Sequence, residues 1–234
     1  MSGADVIVDV TNSPSFDDDA VMDFFRTSTG NLLSAAKAAG VSHYVALSVV
    51  GCDRIRDSGY LRAKRAQEGM IEAGGVPYTM LRATQFCEFL GAIADGATQG
   101  NEIHMSPSKF QPVAADDVAA TLARIATAQP RNGVVELAGP DASGMAEFIQ
   151  KFLTSKGGTR KVVADPEAKY FGAVLDKDGL APANIGLVAS RCLATVLKEG
   201  MVGVRAGWRC GLCHNPSDFA RAPRLVVQLR LPVR

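Results

Sequence analysis

The chain has 234 residues, of which 47% are hydrophobic and 21% are charged, and this composition is typical of a globular protein. No eighteen apolar residues follow one another, and no apolar segment follows a basic start, so the sequence predicts neither a membrane span nor a secretion signal. The formal net charge of +1 argues against a chain that mainly neutralises nucleic-acid phosphates. Five cysteines, an odd number, argue against a disulfide framework and favour a reducing, cytoplasmic compartment.

Charge divides the chain into two unequal parts. Residues 1–183 hold 17 Lys and Arg against 22 Asp and Glu, whereas residues 184–234 hold 8 against 2. The second part also contains the single Trp and three of the five cysteines. This shift predicts a boundary near residue 183, with a main domain over 1–183 and a basic tail over 184–234.

Short β-branched segments alternate with longer amphipathic segments up to about residue 165, which is the pattern of βαβ units around a parallel sheet. The pattern predicts strands over 5–10, 42–48, 77–83, 102–105, 110–114 and 133–138. It predicts helices over about 21–40, 59–73, 85–97, 116–125 and 145–153, with Asp116 and Asp117 near the free N–H groups of the fourth helix. The fold class is therefore α/β.

One group of residues is suited to chemistry. Tyr60 and Lys64 are four residues apart, so they share a helix face and can point into one crevice. A lysine near a tyrosine lowers the pKa of the phenol, which then exchanges a proton with a carbonyl or hydroxyl group near neutral pH. Ser48 ends the preceding strand, where its hydroxyl would orient the substrate oxygen. The alternative is that the Tyr-x-x-x-Lys spacing belongs to an ordinary helix surface.

Several segments together carry a resemblance to a known family: VIVDVTN (6–12), HYVALSVVG (43–51), YLRAK (60–64), PYTMLRATQF (77–86) and FQPVAADDVA (110–119). They resemble the second half of an atypical short-chain dehydrogenase/reductase of the NmrA-like, NAD(P)-binding group, and the similarity extends to about residue 180. The resemblance implies an incomplete doubly wound, Rossmann-like parallel sheet over residues 1–183. It also implies NAD or NADP as the cofactor.

The resemblance further implies a role for each candidate residue. Tyr60 would donate a proton, Lys64 would hold the nicotinamide ribose hydroxyls, and Ser48 would position a small-molecule substrate. The other cofactor contacts would come from residues after the first predicted strand and at or after the end of the third: Thr11, Asn12, Ala83, Thr84, Gln85 and Phe86. No metal, nucleic acid or membrane is expected as a partner.

The sequence departs from this family at its start. A dinucleotide-binding fold opens with a strand and a Gly-rich turn that receives the pyrophosphate, and no such motif precedes Asp5. We therefore expect that roughly 70–80 residues, the first three βα units, are missing, and that the chain binds the cofactor weakly. The strand over 6–10 would then have an unpaired edge, to which the segment 224–233 or a second chain could pair.

The tail departs from the family from about Asn184 onward. A shifted reading frame or an unrelated fused extension would each explain its composition. Its Cys210-Gly-Leu-Cys213-His214 segment matches a haem-attachment signature. The same two cysteines and the histidine could also bind zinc, with Cys192 as a fourth ligand. Free cysteines are the default expectation.

Three functions stay open on the sequence alone. The first is an NAD(P)-dependent oxidoreductase of the short-chain type that acts on a carbonyl or hydroxyl substrate and is impaired by the missing segment. The second is a non-catalytic NmrA-like module that senses a dinucleotide or binds a protein, and the third is an inactive gene fragment. His43, His104 and Cys52 are not proposed as catalytic groups.

Overall fold

The computed structural model describes residues 3–183, 186–199 and 225–228. Strands follow one another along the chain as β1 (Val6–Asp9), β2 (His43–Val49), β3 (Tyr78–Ala83), β4 (Thr98–Gln99), β5 (Glu102–Met105), β6 (Lys109–Phe110), β7 (Gly133–Ala138), β8 (Ser143–Gly144), β9 (Lys161–Ala164), β10 (Lys169–Tyr170), β11 (Ala173–Val174), β12 (Leu187–Val188) and β13 (Leu225–Gln228).

Helices alternate with the longer strands. They are α1 (Asp18–Ala39), α2 (Gly59–Glu72), α3 (Leu90–Gly96), α4 (Ala115–Ala126), α5 (Met145–Ser155) and α6 (Leu193–Glu199), and a 3₁₀ turn over Cys87–Phe89 precedes α3. No helix in the described part of the chain is long and apolar enough to cross a membrane.

Six strands form one parallel sheet in the order β12-β7-β3-β2-β1-β13. Because all of these strands run the same way, their carboxyl ends lie along one edge, where α/β proteins bind ligands. The predicted α/β, Rossmann-like fold class is therefore confirmed.

Helices cover both faces of this sheet. On one face, α1 and α2 pack through Leu32, Leu33 and Ile71 against the sheet residues Ile7 and Tyr44. On the other face, α4 packs through Val118, Leu122 and Ala126. A further apolar cluster joins α3 and α5 to β5 beyond the sheet, and it includes Leu90, Ile103, Phe148 and Ile149. The result is a three-layer sandwich with a smaller lobe beside it.

Local sequence explains where the first two helices begin and end. Two aspartates in the first turn of α1 suit the positive end of its dipole. Gly40 ends the helix with a φ of 67°, a left-handed conformation that glycine adopts at no steric cost. In α2, Ser58 caps the start by accepting a hydrogen bond from the backbone N–H of Leu61 at 3.4 Å.

The predicted helix over 85–97 is wrong in its first residues. Gln85 and Phe86 are extended, because the Val113 N–H donates to the Gln85 carbonyl at 2.8 Å and the Cys87 N–H donates to the Val113 carbonyl at 2.9 Å. The predicted strand over 110–114 is correspondingly shorter, since β6 ends at Phe110 and only a single bridge includes Val113. These pairings hold Gln85 and Phe86 at the carboxyl edge of the sheet.

A second difference concerns the start of α4. The helix begins after Ala114, which has no capping side chain, and the carboxylate of Glu88 accepts the Ala115 N–H at 3.1 Å. Asp116 and Asp117 lie in the first turn, as predicted.

The edge of β1 is covered by a segment of the tail. Val6 pairs with Leu225 and Asp9 with Gln228 in a parallel register, so β13 occupies the side of β1 opposite β2. Of the partners expected for this edge, the one found there is β13, which lies within the predicted segment 224–233.

Candidate functional site

The candidate residues meet at the carboxyl edge of the sheet. Thr11 and Asn12 follow β1, Ser48 lies near the end of β2, and Thr84 follows β3. Tyr60 stands in the first turn of α2, which begins after the loop that leaves β2. The elements that carry the candidate residues thus meet along one edge of the sheet, which we call the crevice.

Unsatisfied polar atoms are concentrated at this crevice. Among the described residues, seven buried side-chain nitrogen or oxygen atoms have no hydrogen-bond partner. Four of them belong to Asn12 (Oδ1), Thr84 (Oγ1) and Gln85 (Oε1 and Nε2). A buried polar group without a partner is costly, so such groups are rare unless a ligand or water satisfies them.

Gln85 lies next to Tyr170, whose phenol interacts with the amide electrostatically without forming a well-aligned hydrogen bond. Burial raises the pKa of the Tyr170 phenol, and the amide partly opposes that rise. Apart from this contact with Tyr170, neither the oxygen nor the nitrogen of the Gln85 amide has a hydrogen-bond partner among the described residues.

Lys64 is fully enclosed and already bonded. Its Nζ donates to the Leu47 carbonyl at 2.8 Å and to the side-chain oxygen of Gln67, and it lies 4.5 Å from the centroid of the Phe25 ring. Burial lowers the pKa of the Lys64 ammonium, and the negative charge of Asp9 partly opposes this.

Tyr60 differs from the sequence-based expectation. Burial, with a smaller contribution from Cys52, raises the pKa of its phenol to about 12. The expected lowering of this pKa by Lys64 is wrong, because burial sets its direction. Phe25 contacts both side chains, and its ring centroid lies 6.3 Å from that of Tyr60. Within the described residues, no hydrogen bond joins the phenol of Tyr60 to the ammonium of Lys64.

Ser48 contacts a buried cluster that the sequence did not reveal. Its Oγ lies 3.8 Å from the sulfur of Cys52, which donates to Oε1 of Glu68 at 3.3 Å. Arg82 donates to both carboxylate oxygens of Glu68, at 2.8 and 2.7 Å, and to Asp53 at 2.7 Å. Burial and the charge of Glu68 raise the pKa of the Cys52 thiol to about 12, so this thiol is not a nucleophile.

A second buried network surrounds Asp9. Its Oδ1 accepts from the backbone N–H and the hydroxyl of Thr11, at 3.0 and 2.7 Å. Its Oδ2 accepts from the Tyr44 hydroxyl at 2.8 Å and from Gln67 at 3.0 Å. Because Gln67 also holds Lys64, one carboxylate fixes both the loop after β1 and, through Gln67, the ammonium of Lys64.

The remaining candidates have different surroundings. The methyl group of Ala83 packs in the core beneath α4. Phe86 is half-buried, and its ring stacks on that of Phe89 with centroids 5.7 Å apart. The roles predicted for these residues, and for Thr11, Asn12, Ser48, Tyr60, Lys64, Thr84 and Gln85, stay predictions.

Sequence reasoning missed Asp9, Gln67, Glu68 and Arg82. A signal was present for two of them, because Asp9 and Arg82 interrupt otherwise apolar strands, and a charge buried in a strand needs a partner. The partners themselves lie 58 and 14 residues away along the chain, so the sequence does not name them.

The other singled-out groups are outside this crevice or outside the described residues. His43 is packed, with Nε2 2.9 Å from the Thr79 hydroxyl, as expected of a buried histidine. His104 lies 3.2 Å from Asp165 in the β5–β9 pair. Cys210, Cys213 and His214 lie outside the described residues, and within those residues no cluster of metal-ligating side chains occurs.

Solved structures show the same fold at low sequence identity. An NADPH-dependent quinone oxidoreductase from Escherichia coli, complexed with NADPH, is 24% identical, with a TM-score of 0.55, over 70% of this chain and 56% of that chain. A dTDP-glucose 4,6-dehydratase from Streptomyces venezuelae, with NAD bound, is 18% identical, with a TM-score of 0.58, over 78% and 70%. A triphenylmethane reductase from Citrobacter, complexed with NADP(H), is 20% identical, with a TM-score of 0.51, over 70% and 56%.

The chain therefore spans little more than half the length of two of these structures. No curated protein matches it by sequence. The model of a family described as NAD(P)H-binding matches residues 1–129, which is more than half of the 234 residues. The chain belongs to this NAD(P)H-binding family.

Proposed function

We propose that the protein is an NAD(P)-dependent oxidoreductase of the short-chain dehydrogenase/reductase type that acts on a carbonyl or hydroxyl group of a small molecule. The observation that carries the proposal is the group of four unsatisfied polar atoms on Asn12, Thr84 and Gln85. These residues follow β1 and β3, at the edge where parallel α/β sheets bind dinucleotides.

The residues present fit a nicotinamide dinucleotide. Such a cofactor offers an amide and sugar hydroxyls, which complement the donor and acceptor of Gln85, the hydroxyl of Thr84 and the side-chain oxygen of Asn12. Phe86 adds an aromatic ring at the same edge. When bound, the reduced nicotinamide supplies a hydride to the substrate.

The protein's own contribution is a proton and the orientation of the reacting groups. Because the pKa of Tyr60 is about 12, its phenol is protonated at neutral pH and can give a proton to the oxygen of a carbonyl substrate. Ser48 would orient that oxygen after giving up its contacts with Cys52 and Glu68. Leu47 and Gln67 use two of the three N–H donors of Lys64, so the third is the one that would bind ribose hydroxyls.

The experiment that tests cofactor binding compares two glutamines of equal burial. Gln85 and Gln111 are each 6% exposed, but Gln111 donates to the Gly139 carbonyl at 2.7 Å, whereas both amide atoms of Gln85 lack a partner. We expect Gln85→Leu to raise the free energy of unfolding by about 1–3 kcal/mol, since it removes an unsatisfied buried group. The same change should weaken NADPH binding.

Gln111→Leu is the control. It should lower the free energy of unfolding and leave the affinity for NADPH, per folded molecule, unchanged. Unfolding in urea and a saturation-transfer NMR titration with NADPH measure the two quantities. If Gln85→Leu destabilised the protein and left NADPH binding intact, Gln85 would be a structural residue and the proposed cofactor site would be wrong.

A specific observation favours a second candidate, a non-catalytic module that senses the dinucleotide. The amino group of Lys64 is engaged with Leu47, Gln67 and the ring of Phe25, so at most one of its three N–H donors is left for the ribose. A sensor would bind NADPH but oxidise it no faster with a ketone than without one. Stopped-flow measurement of nicotinamide absorbance distinguishes the two functions.

A further inference from the structure

Three aromatic rings from separate segments meet above the first turn of α2. Phe16 comes from the loop before α1, Tyr60 from α2, and Phe171 from the turn between β10 and β11. The centroid of the Tyr60 ring lies 5.5 Å from that of Phe16 and 5.4 Å from that of Phe171, and the last two are 5.1 Å apart. We call Phe16, Tyr60 and Phe171 the ring cluster.

Two rings of the cluster are exposed to solvent. Phe16 is 51% and Phe171 is 41% exposed, although burying a phenylalanine side chain stabilises a protein. Phe89 is the third exposed phenylalanine in the described part of the chain. An apolar surface beside a candidate reacting group is characteristic of a ligand site.

The backbone holds Phe171 in this place in an unfavourable conformation. Phe171 has a φ of 46° and Gly172 a φ of 85°, as the two central residues of a type I′ hairpin turn require. A bulky side chain seldom adopts a positive φ, and such residues cluster at functional sites. The neighbouring Tyr170 packs edge-on against Phe171, with centroids 4.8 Å apart, and faces the amide of Gln85.

Arg62, two residues after Tyr60 on α2, is already paired. Arg62 donates to Asp18 at 2.6 Å and to the carbonyl of Arg56 at 2.8 Å. Arg62 is therefore not free to pair with an anionic ligand.

We infer that Phe16 and Phe171 select planar aromatic carbonyl compounds as substrates of this site, an inference that rests on the proposed reductase function. An aromatic ring stacks on an exposed phenylalanine face more favourably than a saturated ring of the same size. With its ring on Phe16 and Phe171, the substrate has its carbonyl beside the phenol of Tyr60. Reduction adds a hydride from NAD(P)H to the carbonyl carbon and the phenolic proton to the oxygen, and Tyr60 then takes a proton from water.

The test uses two ketones that differ only in the ring, acetophenone and cyclohexyl methyl ketone. The readout is the ratio of their kcat/KM values, in which differences in folding and in cofactor binding cancel. We expect Phe16→Leu and Phe171→Leu each to lower this ratio by about 2- to 10-fold, since leucine keeps the apolar volume and removes the stacking. Phe89→Leu, with the same 51% exposure as Phe16, should change it less than about 2-fold.

A binding measurement keeps the two proposals separable. Saturation-transfer NMR should show stronger transfer to acetophenone than to cyclohexyl methyl ketone, and this preference should be lost in the Phe16→Leu and Phe171→Leu variants. Equal transfer to both ketones, or an unchanged ratio in the leucine variants, would overturn the inference even if the protein reduces ketones. Selective binding of acetophenone with no turnover would support the inference and refute the reductase function.

Discussion

The surroundings of Tyr60 determine the pKa of its phenol and therefore its protonation state at neutral pH. With a pKa of about 12, the phenol is almost entirely protonated at neutral pH, so it can give a proton but is a weaker acid than an ordinary tyrosine. The ring packing that buries the phenol also places it beside the exposed faces of Phe16 and Phe171. In the proposed reductase, the packing of Tyr60 would thus link proton donation to the recognition of the substrate.

Replacing Tyr60 by Phe should lower the rate of ketone reduction by about 10²-fold or more, which is the usual effect of removing a general acid. The matched control is Tyr78→Phe. Tyr78 is also half-buried, but it is the first residue of β3 and therefore lies at the end of the strand opposite the candidate site. In the wild type, kcat/KM for reduction should stay flat from pH 7 to about pH 10 and fall only as Tyr60 loses its proton near pH 12. A decrease in kcat/KM above about pH 8 that persists in Tyr60→Phe would show that another group donates the proton.

Glu68 and Arg82 form the most enclosed ion pair of the described residues, with the Glu68 side chain 1% and the Arg82 side chain 10% exposed. Glu68→Gln should lower the free energy of unfolding at pH 7 by about 3–5 kcal/mol, because it leaves the Arg82 charge buried without its main partner. Glu72→Gln, on the same helix, should cost less than about 1 kcal/mol, since the Arg65–Glu72 pair is exposed to solvent.

The pH dependence of this effect follows from the pKa of Glu68. Burial alone would raise that pKa, but hydrogen bonds from Arg82 and Ser48 more than offset it, so the pKa is lowered in the folded protein. A lowered pKa stabilises the fold above the pKa of the unfolded chain, about 4.3, and this contribution is lost as the pH falls through the folded value. The difference in free energy of unfolding between wild type and Glu68→Gln, measured in urea, should therefore decrease below about pH 4. A constant difference down to pH 2 would contradict the assignment.

Among the elements, β1 is held from both sides and at its end. Its backbone pairs with β2 and β13, and its last residue, Asp9, bonds to β2 through Tyr44 and to α2 through Gln67. The loop that follows starts at Thr11, which the same carboxylate fixes. The position of the candidate cofactor loop therefore depends on an element whose outer edge only β13 covers.

Removing residues 221–234 should expose this edge and cause self-association, because β1 then presents unpaired N–H and C=O groups of an apolar, parallel-type strand. Removing only residues 231–234, beyond β13, is the control and should leave the protein unchanged. Sedimentation velocity at micromolar concentration, with a dye that binds exposed apolar surface, measures the outcome. If the longer deletion sediments as the full chain does and binds no more dye, pairing with β13 does not protect β1.

The whole molecule should lose most of its affinity for the cofactor at the phosphate groups. The 234 residues contain no G-x-G-x-x-G segment, the motif whose backbone N–H groups bind a pyrophosphate at a helix N-terminus. We therefore expect NADPH to bind with a dissociation constant above the micromolar range. The contacts at its nicotinamide end would not be supplemented by a Gly-rich turn that binds the pyrophosphate.

A titration that follows nicotinamide fluorescence, with saturation-transfer NMR for the millimolar range, measures this affinity. Nicotinamide mononucleotide in its reduced form is the control ligand, because it lacks the pyrophosphate and the adenosine. It should bind within about 10-fold of NADPH. Saturable micromolar binding of NADPH alone would show that the described residues hold the pyrophosphate in another way.

The sequence by itself determined the layered fold. Apolar strands at intervals of about 35 residues with helices between them specify a parallel sheet, and a parallel sheet specifies the edge at which ligands bind. The placement of Tyr60, Thr84 and Gln85 at that edge therefore follows from their position after a strand or at the start of a helix, without knowledge of any tertiary contact.

Only the tertiary structure decided what these side chains touch. Helical spacing puts Tyr60 and Lys64 on one face of α2, but Phe25 of α1 contacts both, and burial rather than the lysine sets the pKa of the phenol. The pairing with Val113 likewise turned the predicted helix start at Gln85 into extended chain. The periodicity of a sequence indicates which side of an element is apolar. Which side chain packs against that side, what charge it carries and how far water is excluded there depend on residues distant in the sequence.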